Sequence, residues 1–491
     1  MNRFLSIVFV AIFLILPSVA TPESTSSSNI REVQYLLYRT GYNPGPIDGI
    51  WGQRTKEALE NFLETKSVNF EGVIVETHVQ MLKQTPVSTE YANRKHFANG
   101  RPIDHVTQSD GTTIFPGRWE LPQYLTPIPN DETLQFHFLR WLGQRRLTDM
   151  VRENKPGTTR QLSFNIRESE FLENQLQHSS LLSYLFFDNG EIIFDGMAPS
   201  SRFDKVSLDN ETEFRSNSVG KSLVSYLIGH AICEGYIDSI FDPMNDWPII
   251  EGTLYTDQPI IDLLNMRARD QHVVTEEDGI LPTEKWAGRW FNNAEVKSFA
   301  ERELKGTLPN RNQIYNYNGL VSNVLLQYMI FKTAEDWDSF FERVIYEKIG
   351  AHHNFYFQQL PSSSNKFGLW YSFFASRYDY LRLAITMLED WQQNTCVGEY
   401  LKDIYAERKS MNHRFSDPNR MMDVAKSYGG QFLFDFSGMQ SRPIFGLNGY
   451  GGQNIAIDMD NGRIVVTNAA HTSFDWRTLV YKAIEHGDLP N

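Results

Sequence analysis

Phe214-Arg215-Ser216-Asn217-Ser218-Val219-Gly220-Lys221-Ser222 is the stretch on which the fold turns. From Ser218 onward the apolar residues recur at helical spacing to about residue 234. Leu223, Leu227 and Ala231 form one row, with Val224, Ile228 and Ile232 beside it. Upstream, residues 181–187 read as a short strand, Asp188-Asn189-Gly190 as a hairpin turn, and 191–194 as the returning strand. Downstream, helical patterns dominate residues 260–392. Strand patterns return at 431–435, 455–458 and 464–467, and a last helix is expected over 476–485. Strands at both ends with helices between them predict an α+β fold. One antiparallel sheet is built from both ends of the domain, with a helical insertion packed beside it.

Three places in this domain carry chemistry. On a helix, residues i and i+3 share a face, so Lys221 can reach the hydroxyl of Ser218. Serine is a weak nucleophile until a base takes its proton, and a lysine can be that base where burial disfavours its charge. The second place is Ile314-Tyr315-Asn316-Tyr317-Asn318-Gly319, followed by the apolar positions Val321, Val324, Leu325 and Met329. A tyrosine beside a lysine can shuttle a proton. The third is Gly446-Leu447-Asn448-Gly449-Tyr450-Gly451-Gly452-Gln453, which opens the strand at 455–458. Glycines let a backbone approach a substrate closely, and an edge strand there can donate a main-chain N–H to an oxyanion. A second Ser-x-x-Lys, Ser363 to Lys366, lies in the polar run 361–365 with no amphipathic helix after it, and reads as a loop.

Taken in order, these motifs resemble the serine β-lactamase and penicillin-binding-protein superfamily. The similarity is to its class C-like branch of esterases, D-amino-acid peptidases and 6-aminohexanoate-oligomer hydrolases. Ile261-Asp-Leu-Leu-Asn-Met266, Ala375-Ser-Arg-Tyr-Asp-Tyr-Leu381 and Tyr428-Gly-Gly-Gln431 fall in the family's order, and the resemblance covers about residues 175–490. It implies a β-lactamase/transpeptidase-like fold and an acyl-enzyme mechanism. Ser218 would be the nucleophile, Lys221 its base and Tyr317 the tyrosine of the second motif. Tyr315 is the rival, but the spacing from Tyr317 to Val324-Leu325 fits the family better. The N–H groups of Ser218 and Tyr450 would hold the oxyanion, and Asn448, Gly449 and Gly452 would line the substrate. No metal or organic cofactor is expected. The chain reads Tyr317-Asn318-Gly319 where the family often has Tyr-x-Asn. It reads Leu447-Asn448-Gly449 where the family places Lys or His before a hydroxyl residue and Gly. The lost cation, which helps bind a carboxylate, and the run Gly449-Tyr-Gly-Gly-Gln453 point toward the 6-aminohexanoate-oligomer hydrolase and esterase members. The same departures motivate an alternative of another class: a catalytically weak protein that binds cell wall or β-lactam as sensor or scaffold.

Ahead of this domain the chain has other tasks. Residues 1–20 carry Arg3, an apolar run over 5–16, and Ser18-Val19-Ala20, the pattern of a secretory signal. That run is short of the roughly 20 apolar residues a membrane span needs, so the mature chain is expected to be periplasmic or secreted, without a span. Residues 21–29 read as a Ser/Thr-rich linker. Over 30–84, Ile30, Val33, Leu36 and Leu37 mark one helix; Ala58, Leu59, Phe62 and Leu63 mark a second, with Thr55 placed to cap it. A short helix near 77–82 closes a small three-helix domain. Val33-Gln34, Gly41-Tyr42, Asp48-Gly49-Ile50-Trp51-Gly52, Thr55, Ala58-Leu59 and Phe62 resemble the peptidoglycan-binding domain, which implies peptidoglycan as a partner. One departure is Leu63, where that family usually has Gln. Residues 85–160 form a connecting segment, with one helix expected over 136–147, and 161–491 form the hydrolase-like domain.

Composition narrows the alternatives. Lys and Arg number 46 against 60 Asp and Glu, a net charge of −14. That field argues against nucleic acid as a partner. Two cysteines, Cys233 and Cys396, exclude a disulfide scaffold and a Cys-rich zinc fold, and the sequence leaves open whether they pair. Gly220-Lys221-Ser222 is not the end of a phosphate loop, because Arg215 stands where that loop needs Gly. Tyr91-Ala92-Asn93 lies upstream of Ser218 and is set aside. His352-His353 has no partners at metal spacing and reads as surface.

Overall fold

The computed structural model describes residues 51–86, 159–203, 207–274, 296–359, 366–411, 420–472 and 474–490, with separate positions within 30–44, 97–114 and 131–138. The expected signal and linker, Tyr91-Ala92-Asn93, Ser363 and nearly all of the helix expected over 136–147 lie outside the described residues. The chain forms two compact units, Met1–Arg94 and Lys95–Asn491.

In the first unit, α1 spans Gln53–Glu64 and α2 spans Glu76–Gln84. Ile30, Val33, Leu36 and Leu37 are helical and buried, as their spacing requires. Ala58, Leu59, Phe62 and Leu63 of α1 and Val79 and Leu82 of α2 are buried too. Leu63 is therefore a core residue. Thr55 does not cap α1: Gly52 holds the N-cap position, and Thr55 sits inside the helix. Its hydroxyl donates to the Pro44 carbonyl (3.1 Å) and accepts from the Gln34 amide (3.1 Å). A buried hydroxyl needs both partners, so Thr55 ties the preceding helix and turn to α1.

The second unit is built on a nine-stranded sheet. Its strands are β1 (Ser163–Phe164), β2 (Leu181–Asp188), β3 (Glu191–Met197), β7 (Lys409–Ser410), β8 (Ser427–Gly429), β9 (Phe432–Phe434), β10 (Ile444–Gly449), β11 (Gln453–Asp458) and β12 (Arg463–Ala469). The order is β7-β8-β9-β10-β11-β12-β2-β3-β1. The last strand thus pairs with the first long one, Leu181 to Asp188 running antiparallel against Ala469 to Arg463. This is the sheet from both ends of the domain that the pattern predicted, antiparallel except at one edge, where β1 pairs parallel with β3. The β2–β3 hairpin turns at Asn189 and Gly190, whose φ values of 49° and 96° are the left-handed pair that a tight hairpin needs. Leu181 through Phe187 are all buried, as is every residue of β11, so both faces of the sheet are covered here.

A second sheet of three strands has the order β4-β6-β5, with β4 at Glu213–Arg215, β5 at Tyr356–Gln359 and β6 at Leu369–Ser376. Of the helices, α3 is Glu170–His178, α4 Val219–Cys233, α5 Ile260–Leu264, α6 Gly319–Thr333, α7 Arg377–Gln393 and α8 Cys396–Ala406. Helix α4 is buried on all sides from Val219 to Ala231, and α6 from Gly319 to Ile330. A helix apolar all round belongs in the middle of a domain. Accordingly α4 packs against α6, α8, β6 and β10. The C-terminal segment is helical over Arg477–Lys482 and Ala483–His486.

Cys233 and Cys396 form a disulfide that joins the last residue of α4 to the first of α8 across 163 residues of sequence. Closing so long a loop restricts the unfolded chain. Replacing both cysteines by serine should lower stability by roughly 2–5 kcal/mol, seen as a lower urea midpoint; an unchanged midpoint would mean that the bridge adds nothing.

Candidate active site

The site begins where β4 hands over to α4. Ser216 prolongs the pairing with β6: its N–H donates to the Phe373 carbonyl (2.7 Å), and the Phe373 N–H donates to its hydroxyl (2.7 Å). Asn217 then takes a left-handed φ of 49°, which ends the strand and starts the helix within one residue. Ser218 follows at the N-cap of α4, half-buried, and its hydroxyl makes no capping bond. Its main-chain N–H belongs to the first turn, which helix geometry leaves without an intrahelical acceptor. The positive end of the helix dipole faces the same place. Gly220 is required by packing, since a Cβ there would stand 2.0 Å from the Tyr371 carbonyl oxygen.

Lys221 lies one helical turn below Ser218 and is only 1% exposed. Its ammonium donates to the Asn318 carbonyl (3.0 Å). It also lies 4.4 Å from the ring centroids of both Tyr317 and Tyr371. Ring faces attract cations, so the ammonium is held between two tyrosines and one carbonyl. Tyr428 completes the cluster, its ring 6.0 Å from that of Tyr317 and 5.4 Å from that of Tyr315. Burial, with Tyr315 and Tyr371 beside it, pushes the Tyr428 hydroxyl well above the ordinary tyrosine range. Of the two candidate tyrosines, Tyr317 is the one whose ring covers Lys221.

The second motif is anchored from behind. The Asn318 side-chain oxygen caps α6 by accepting from the Val321 N–H (3.0 Å), while its amide donates to Asp270 (3.0 Å). Asp270 also accepts from the Asn316 amide (2.7 Å) and the Tyr255 hydroxyl (3.0 Å). Burial pushes the Asp270 carboxyl up, and hydrogen bonds from Asn316, Tyr255 and Asn318 pull it back.

The glycine-rich strand reaches the same place. Asn217 donates its amide to the Tyr450 carbonyl (2.9 Å), which puts the Tyr450 peptide beside the strand–helix turn that carries Ser218. Gly449 makes that approach possible, because a Cβ there would stand 2.3 Å from the Ser216 carbonyl oxygen. Gly452, at φ 90°, serves the turn and packs against Phe474 and Ala469. Its carbonyl accepts from Thr467 (3.0 Å). Asn448 is half-buried, its amide donating to Asn454 (2.7 Å). Side chains alternate along a strand, so Leu447 shares the face of Gly449 that looks toward Ser216 and Val219. Leu447 is fully buried, and this strand position offers an apolar side chain where a cation could have stood.

The structure therefore gathers Ser218, Lys221, Tyr317 and Tyr450 around one strand–helix junction. Three participants had no local signal. Asn217, Tyr371 and Asp270 matter through contacts with residues 233, 150 and 48 positions away. Asp270 left a trace only in following Ile261–Met266 closely. His353 is half-buried, and the main-chain N–H groups of His352 and His353 donate to Asp379 (2.8 and 3.1 Å). No helix among the described residues is long and apolar enough to cross a membrane.

A family model for a peptidoglycan binding domain matches residues 26–67. No curated protein matches the chain by sequence. Among solved structures, the chain is similar to a Bacillus anthracis protein assigned as a 6-aminohexanoate-dimer hydrolase, at 13% identity and a TM-score of 0.49, covering 70% of this chain and 92% of that one. It is also similar to a class C β-lactamase from Rhodobacter sphaeroides, at 15% identity and a TM-score of 0.44, covering 62% and 94%. A third is a penicillin binding protein from Bacillus halodurans, at 16% identity and a TM-score of 0.43, covering 63% and 97%.

The contact at Gly449 is open to test. Gly449→Ala must push β10 away from the Ser216 turn, an overpacking cost of about 1–3 kcal/mol. Thermal unfolding should show that loss. Unchanged stability would mean that the close approach is not needed.

Proposed function

We propose that the protein is a serine hydrolase working outside the cytoplasm, through an acyl-enzyme on Ser218, on an ester, amide or peptide bond. The observation that carries this reading is the setting of Lys221. A buried ammonium is costly unless it is well paired, and this one, 1% exposed, meets one carbonyl at 3.0 Å and two tyrosine rings. A lysine kept only for packing would be replaced cheaply by Met or Leu. One turn above it sits a half-buried serine whose hydroxyl is not used for capping.

In the proposed cycle the Ser218 oxygen attacks the substrate carbonyl carbon. Its proton passes to Lys221, which acts as base when its amine is uncharged, with Tyr317 as relay. The N–H groups of Ser218 and Tyr450, with the helix dipole behind the first, hold the negative oxygen of the tetrahedral intermediate. Collapse breaks the bond to the leaving alcohol or amine, which takes the proton back. A water then gives its proton to the same lysine–tyrosine pair and attacks the acyl carbon; the bond to the Ser218 oxygen breaks, the serine takes that proton, and the acid is released. Leu447, apolar on the face toward Ser216, supports a substrate without a carboxylate next to the reacting carbonyl. Short neutral esters and linear amides fit better than β-lactams.

The disulfide supports an oxidising compartment, and the leader pattern at residues 1–20 agrees with it. The match over residues 26–67 supports peptidoglycan as what the first unit engages. Steady-state turnover of short nitrophenyl esters tests the chemistry. Ser218→Ala should abolish turnover, and Lys221→Ala should lower kcat by about 10²–10⁴-fold. Turnover that survives Ser218→Ala, or a wild type that cleaves no ester, amide or lactam, would refute the reading. The second of those results would favour a binding protein.

A further inference from the structure

Asp270 is fully buried, and among the described residues no lysine or arginine pairs with it. An unpaired buried carboxylate is costly, and the groups that offset the cost here are specific. Two of its three donors are the amides of Asn316 and Asn318, at 2.7 and 3.0 Å. These residues flank Tyr317. Asn318 is extended, at φ −153° and ψ 162°, and the Asn316 N–H donates to the Met266 carbonyl (2.8 Å) in a strand-like way. Along extended backbone, i and i+2 face one side and i+1 the other. Holding Asn316 and Asn318 toward Asp270 therefore turns Tyr317 the opposite way, onto Lys221. The same hold fixes the Asn318 peptide, whose carbonyl accepts from Lys221 at 3.0 Å. A single amide in place of Asp270 could not accept from both asparagines and from Tyr255 with both of its terminal atoms. The third donor, Tyr255, is kept protonated, since burial and Asp270 itself push its hydroxyl well above the ordinary range.

We infer that Asp270 is a positioning residue for acylation: its carboxylate grips the asparagines on both sides of Tyr317 and so sets the tyrosine and the Asn318 carbonyl against Lys221. The inference rests on the reading of Ser218 and Lys221 given above.

The experiment is the pre-steady-state acetylation of the full-length chain by 4-nitrophenyl acetate, with burst rate and apparent substrate affinity measured separately and folding checked by thermal unfolding. Asp270→Asn should lower the acylation rate constant by about 10²-fold, the scale of a small misplacement of reacting groups, with little change in apparent affinity. Asn318→Ala keeps the carbonyl but removes the amide, and should lower the same constant. The double variant should lose little more than the worse single one, because both act through one contact. Asp270→Asn reacting at the wild-type rate, or the two losses multiplying in the double variant, would overturn the inference while leaving the Ser218 reading intact. If Asp270→Asn does not fold, Asn318→Ala alone decides, and a wild-type rate there overturns the inference. A wild type that releases no nitrophenol in a Ser218-dependent way would sink the catalytic reading, and this inference with it.

Discussion

One ammonium group, shut away from water at the foot of Ser218, organises much of the second unit. Lys221 cannot be solvated, so its surroundings must satisfy it: the Asn318 carbonyl from one side, the rings of Tyr317 and Tyr371 from the others. These partners come from two parts of the chain, neither of them α4. Asn318 and Tyr317 belong to the segment that starts α6, and Tyr371 to β6 of the small sheet. Three elements distant in sequence have to be in register before the charge is tolerable. This ties the order of the whole domain to the order of its site.

The sheet meets this cluster through a second constraint, closeness of backbones. Gly220 and Gly449 stand where any Cβ would collide with a carbonyl, of Tyr371 and of Ser216 respectively. Side chains are thereby removed from the places where β6, β10 and the start of α4 converge, and main-chain groups can line the space around Ser218. Leu447, fully buried, fills the neighbouring position on β10 with apolar volume.

Much of this was legible in the sequence. The Asp188-Asn189-Gly190 turn carries its own φ requirement, so the β2–β3 hairpin could be read locally. The Ser218-x-x-Lys221 pair announced itself because a long apolar helix follows at once. The glycines of 446–452 marked the close approach of backbones, but the strand they belong to, β10, was read only as the opening of β11, and both strands are interior to the sheet rather than at its edge. What could not be read depends on contacts across the fold. Tyr371 is one aromatic among many until β6 places it over Lys221. Asp270 looks like a loop aspartate until Asn316 and Asn318 converge on it. Thr55 has the right residue type for a helix cap, but the Pro44 carbonyl and the Gln34 amide compete for its hydroxyl and hold it inside α1. The pairing of Cys233 with Cys396 depends on α4 and α8 lying side by side, which spacing does not encode.

The central claim is that Ser218 carries the acyl group. Acid-quenching the full-length chain during turnover of a short nitrophenyl ester, then mapping its peptides by mass, tests that claim most directly. The account predicts one acyl group, on the peptide that contains Ser218, and none in the chain with Ser218→Ala. Ester turnover with an acyl group on another residue, or with no acyl group at any time point, would contradict it.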